Sequence, residues 1–552
     1  MSLPNTLTLF RRLLPVAAVT TASLCAAAVQ AATPGISAST LGSPGTPSFA
    51  LTAAPGHISQ PDGHSIYTWG YGCTNTTGIT FQPAALSAVG KCPTMQLPGP
   101  TLIVTQGDVV SVTLTNNLPA AAGNTSILFP GFVVTSAVAA ATQPGSCASA
   151  AAAIVAGPLA AEATPGCAVT YTFTASNEGT HTYYSGTQGD LQVEMGLYGA
   201  IVVVPQSGNV PSVCTATTQN DLAKAANNET DFRLTKAAYS NAGACYDREY
   251  LFNFTEMDPK IHAAAEAIAS CVTSQGVVCA TTMNSVPTEP YVPAYFLVNG
   301  RSMPDDMDPN YAPAMPNQPY NGNPHMHPGE LVLVRVVGGG HWQHPFHEHG
   351  NHVRVLARDG NLLVNAKNQL AGPLLFTTTT TPGVTLDGIF YWTGKNLNWD
   401  VYGHHPTVPG MADTTAVAPC VPDINGYYTS VPSAPNYYEW CGDHNKALEQ
   451  KPFGDVGSGG PVTLPFPNIL SNGAWYGGSS YLGPDATARA VGFNGTTPPS
   501  GTFDNPPSTE SGFAFMWHSH NEREITTGNI FPGGMMMMML VDPRAFVIDE
   551  SK

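Results

Sequence analysis

Between Pro98 and Val134, apolar and polar side chains alternate with a period of two. Val110, Val112 and Leu114 fall on one parity, and Val109, Ser111 and Thr113 on the other. That period predicts a strand with one buried face, which "NNLP" then ends. The same order recurs from Pro328 to Gly360 in "PGELVLVRVVGGGHWQHPFHEHGNHVRVLARDG": Pro-Gly, an acid, Val/Leu alternation, a glycine break and a short motif closing on Gly. Aligned in this way, "LFPG" (Leu128 to Gly131) lies under "HEHG" (His347 to Gly350).

A second pair of stretches repeats in the same sense. "GTHTYYSGTQGDLQVEMGLYGAIVVVP" (Gly179 to Pro205) matches "FMWHSHNEREITTGNIFPGGMMMMMLVDP" (Phe515 to Pro543), with "YSG" (Tyr184 to Gly186) under "HSH" (His518 to His520). The chain therefore reads as two copies of one all-β unit. Short strands punctuated by Gly and Pro predict a sandwich or barrel.

Composition supports this picture. The chain has 552 residues, with 55 Gly and 49 Pro, and only 10% of its residues are charged. Soluble domains average about 25% charged residues. The net charge of −17 excludes the basic footprint that nucleic-acid binding requires.

The opening 31 residues read as an export signal, with Arg11 and Arg12 before an apolar stretch and "VQA" ahead of Ala32. No later apolar run is long enough to span a membrane, so the mature chain is expected in the periplasm or outside the cell. Cleavage removes Cys25 and leaves ten cysteines, an even number that in an exported protein points to disulfides. The sequence-adjacent couples are Cys73/Cys92, Cys147/Cys167, Cys214/Cys245, Cys271/Cys279 and Cys420/Cys441, although spacing alone does not fix connectivity.

The histidines carry the candidate chemistry. On a strand, residues i and i+2 share a face, so His347/His349 and His518/His520 each present two imidazoles to one side. If the repeat folds as a unit, both pairs meet at one end of one sandwich, and imidazole suits copper. His325, Met326 and His327 form a weaker His/Met candidate in "NPHMHPGE". His341 and His352 flank the "HPFHEHG" motif, and His404 and His405 lie in "NWDVYGHHP". Met535 to Met539 read as the filler of a final strand. Glu522, Arg523 and Glu524 follow the HSH pair, where a carboxylate could orient a ligating histidine.

These motifs resemble those of multicopper oxidases. "PGPTLIVTQGDVVSVTLTNNLP" resembles the opening signature of the family, "GLYGAIVV" the end of its first domain, and "HPFHEHG" and "WHSH" two of its copper motifs. The resemblance implies tandem cupredoxin-like Greek-key β-sandwiches. It divides the chain into a first domain (45–206), a linker (207–244) and a second domain (245–545) that carries the histidines. An insertion at about 410–510 would form a lid, a partner surface or a third sandwich. The resemblance also implies copper, one or two ions, at His347, His349, His518 and His520, with His344 at the position of the family's mononuclear ligand.

The departures from the family are equally specific. Leu128-Phe129-Pro130 and Tyr184-Ser185-Gly186 stand where the first copy would carry histidines. Ser519 stands where the mononuclear site needs a thiolate, and Glu524 where it needs a second histidine. The expectation is an exported copper protein with a redox or copper-handling role and without ordinary laccase turnover. The competing expectation is a non-enzymatic scaffold or envelope-complex protein with vestigial copper motifs. A partner chain or oligomer at the histidine end could supply the missing ligands.

Overall fold

The computed structural model describes residues 32–138, 155–156, 160–271, 279–395 and 511–551, with short pieces at 424, 431–434, 437–439, 478–481, 487–488 and 503–504. The signal segment, Cys147, Cys420, Cys441, His404, His405 and most of the 410–510 insertion lie outside these residues.

The chain builds two cupredoxin-like β-sandwiches. In the first, a six-stranded and a five-stranded sheet formed by residues between Gly35 and Val204 enclose one apolar core. Val109–Asn116 shows the alternation read from its sequence, with Val110, Val112 and Leu114 buried and Val109 exposed. In the second, strands between Arg248 and Val541 form a seven-stranded and a six-stranded sheet around a second core.

The two units share a topology as well as a composition. Val109–Asn116 runs parallel to Ser48–Ser59 and antiparallel to Ala168–Thr174. Its counterpart Leu331–Gly338 runs parallel to Arg248–Met257 and antiparallel to Thr385–Tyr391. On the facing sheet, Tyr198–Val204 lies between Gly179–Tyr184 and the parallel strand Leu102–Thr105. In the second unit Met536–Val541 lies between Gly512–Ser519 and the parallel strand His325–Met326. Leu128 bridges Tyr184 in the first copy, as His347 pairs with His518 in the second. The repeat is therefore in register at the residues that differ chemically.

The sandwiches pack through apolar side chains. Ile103, Ala200, Val202 and Val204 meet Leu251 and Val337. Asp387 of the second unit accepts from the Thr180 amide (3.0 Å) and hydroxyl (2.6 Å) of the first, all buried. A helix runs from Pro259 to Ala269, and its Ile261 and Ala265 bury into the core of the first sandwich. That helix, sequentially part of the second unit, thus caps the first. Among the described residues the expected disulfides Cys73–Cys92, Cys214–Cys245 and Cys271–Cys279 are formed. Among the described residues no helix is long and apolar enough to cross a membrane.

Candidate metal centre

Strand His344–Glu348 lies between Thr377–Thr380 and Gly512–Ser519. Its alternation sorts the histidines. Phe346 and Trp517 point into the core, in edge-to-face contact with centroids 5.9 Å apart. His347 and His518, directly paired across the ladder, therefore project from the opposite face. Gly350, at φ +99°, turns the chain after His349, and a Cβ there would meet the ring of Phe515 at 3.0 Å. Gly131 holds the matching position in the first copy at φ +88°.

His347, His349 and His518 each offer one ligand atom, and these atoms lie within 4.8 Å of one another. The Nε2 atoms of His349 and His518 are 3.3 Å apart. Two imidazoles bound tetrahedrally to one ion at about 2.0 Å would be separated by about 3.3 Å. The His520 ring centroid lies 4.8 Å from that of His347, and its side chain is 55% exposed. The donor set therefore fits a borderline transition metal ion.

The partners of the rings leave Nε2 directed to the centre. His518 Nδ1 donates to the Ser519 carbonyl at 2.7 Å, and His347 Nδ1 lies 2.7 Å from the Thr377 hydroxyl. Such contacts fix the tautomer and orientation of ligating imidazoles. The Trp517 indole N–H donates to the His349 carbonyl at 3.0 Å, anchoring the third ligand to the core. Burial, reinforced by the neighbouring imidazoles, lowers the His347 pKa to about 4. Burial lowers that of His518 as well. Both are therefore neutral at pH 7, the form that binds metal.

His344, which the resemblance puts at the family's mononuclear position, faces the other way. Its three-residue spacing from His347 puts it on the core side of the strand. Nδ1 is 2.9 Å from Glu524 and Nε2 is 2.9 Å from Glu256, all three side chains being buried. Burial opposes the charge on this ring, but the two carboxylates outweigh it and raise the pKa to about 9. Ser519, at the thiolate position of the family's mononuclear site, hydrogen-bonds Glu524. Asn521 also donates to Glu524, at 2.8 Å. Glu256 additionally accepts from the amides of His341 (2.7 Å) and Trp342 (2.8 Å). An imidazolium held by two carboxylates thus fills this position, and a sequence search for metal ligands does not reveal it.

The other histidines lie elsewhere. His327 binds Glu229 at 2.9 Å through Nε2, and His325 binds Asp542 at 2.6 Å, both buried in an ionic cluster around Arg248. The His341 ring packs against Tyr291 and that of His352 against Phe376. Glu348, between the two ligand histidines, turns into the core, where burial raises its carboxyl to about 8 and the Thr378 hydroxyl donates to it. Of the methionine run, Met535, Met537 and Met539 fill the core as expected.

Fold and site together define a tandem cupredoxin with an imidazole centre in its second unit. Residues 93–208 match the family model described as multicopper oxidase. The match falls on the copy without the His-x-His motifs. No curated protein matches the chain. Among solved structures, one described as multicopper oxidase mgLAC is 16% identical and covers 92% of this chain and 88% of its own, with a TM-score of 0.41. The blue copper oxidase from Nitrosomonas europaea is 14% identical, covering 90% and 85%, also with a TM-score of 0.41.

Proposed function

We propose that the chain is an exported copper protein in which His347, His349 and His518 hold one copper ion. His520 is a fourth or exchangeable ligand. The convergence of three ligand atoms within 4.8 Å carries this reading. Bound copper would supply one-electron chemistry at this position. The chain's own residues hold and orient: Ser519 and Thr377 fix two rings, and Trp517 fixes the backbone of the third. Four imidazoles coordinate one ion well and two only sparsely, so one ion is the stoichiometry we favour.

The role is redox or copper handling at this reduced centre, without four-electron oxygen reduction. Ser519 offers no thiolate, and Leu128 and Tyr184 offer no imidazole. Export rests on the Arg11/Arg12 and "VQA" signal together with the disulfides. His344 is read as a structural cation rather than a ligand.

The test is metal analysis of the purified mature protein after anaerobic reconstitution, beside a His347→Ala/His349→Ala double variant. One copper per chain, lost in the variant with the melting transition retained, is the expected result. A wild-type protein that folds and takes up no copper would overturn the reading in favour of a scaffold.

A further inference from the structure

The methionine strand has a second face. Met536 stands directly opposite His518, and Met538 directly opposite Met516. Opposed residues in an antiparallel ladder share a face, so these three thioethers lie on the His518 face and not with Met535, Met537 and Met539 in the core. The burial pattern agrees. Met516 and Met538 are half-buried, as are Ala514 and Leu540 further along the same face, whereas the intervening residues are buried.

We propose that Met516 and Met538, with Met536 as a diagonal neighbour, form a sulfur site for a cuprous ion. Opposed Cβ atoms are about 4.5–5.5 Å apart and diagonal neighbours about 7–8 Å apart, within reach of long side chains. Met516, Met538 and Met536 can therefore close on one ion. Neutral, polarisable thioethers select Cu(I) over hard divalent cations. Met516 and Met538 are partly exposed and lie outside the apolar core that Met535, Met537 and Met539 fill, so their thioethers are accessible to an ion. This site goes beyond the imidazole centre and does not depend on it, because its ligands are all sulfur.

The probe is Ag(I), a redox-inert stand-in for Cu(I), titrated into the mature protein. The His347→Ala/His349→Ala background removes the imidazole centre, so failure here is distinguishable from failure of that centre. The expected result is retained uptake of one Ag(I) in this background, with sulfur neighbours in its X-ray absorption spectrum. Uptake should be lost on adding Met516→Leu and Met538→Leu, swaps that conserve volume. In the otherwise wild-type chain the leucine pair should leave Cu(II) uptake unchanged. Ag(I) uptake that survives the leucine pair, or an Ag(I) spectrum with only nitrogen or oxygen neighbours, overturns the proposal. Melting curves confirm that each variant folds. Should the leucine pair not fold, the absorption spectrum of the histidine variant decides alone.

Discussion

His344 and Glu524 lie 2.9 Å apart in the dry interior, and Glu256 holds the opposite side of the same ring at the same distance. The position that would serve electron entry in the family is here an ionic triad. Because the triad keeps its proton in the folded state to about pH 9, it links stability to pH. An imidazole whose folded pKa lies above 6.5 stabilises fully below that value and loses the contribution as pH rises through about 9. The shift corresponds to about 3 kcal/mol. The melting temperature is expected to fall between pH 7 and 10, and His344→Gln should flatten that fall while lowering stability at pH 6. A wild-type melting temperature that stays constant across this range would count against the triad.

Glu348 sets a lower window. Its carboxyl, raised to about 8 by burial, is protonated in the folded state and ionised in the unfolded chain above about pH 4.5. Stability is therefore lost as pH rises from about 4.5 to 8. Glu348→Gln copies the neutral form and should remove this slope at little cost at pH 7. Glu348→Ala leaves the Thr378 hydroxyl without its acceptor and opens a cavity, at a cost of about 2 kcal/mol or more. Chemical denaturation at pH 5 and pH 8 distinguishes the two.

The copper-loaded protein should lack the intense visible band of a blue site, because that band requires a thiolate and Ser519 supplies a hydroxyl bonded to Glu524. Its electron paramagnetic resonance spectrum should be that of a non-blue, imidazole-bound Cu(II). A blue solution would show that the imidazole assignment is incomplete.

Asp387 couples the two sandwiches through Thr180 and Tyr239. Arg335 lies 3.6 Å from the same carboxylate. Asp387→Ala leaves the buried Thr180 and Tyr239 donors without their acceptor, while Arg335 keeps Glu249 at 2.9 Å, and should cost about 1–3 kcal/mol. The loss should appear as one broadened or split transition in calorimetry, since it removes a tie between units and not a core. An unchanged, single transition would mean that the apolar interface alone couples them.

Much of this was legible in the sequence, and the reason is periodicity. The parity of Val110, Val112 and Leu114 marked a strand, and the repeat aligned His347 with Leu128 and His518 with Tyr184, pairs that the ladders reproduce. The same parity rule separates His344 from His347, three residues on. Glu524 was marked by its place in the closing motif, whereas Glu256, 88 positions from His344, left no local signal, so the clamp of two carboxylates was only half legible. The methionine run was legible as a core strand, but its second face became visible only once the register set Met536 against His518.

Strand His344–Glu348 is, in effect, a partition between two chemistries. Its core face holds an imidazolium and a protonated carboxyl, and its other face contributes to the imidazole cluster of His347, His349 and His518. Because side chains alternate strictly, sliding this strand by one residue would exchange the two. His347 would enter the interior, and the ionic triad would open to water. Folding register and the assembly of the imidazole cluster are thus a single event: only this register brings the three ligand atoms together.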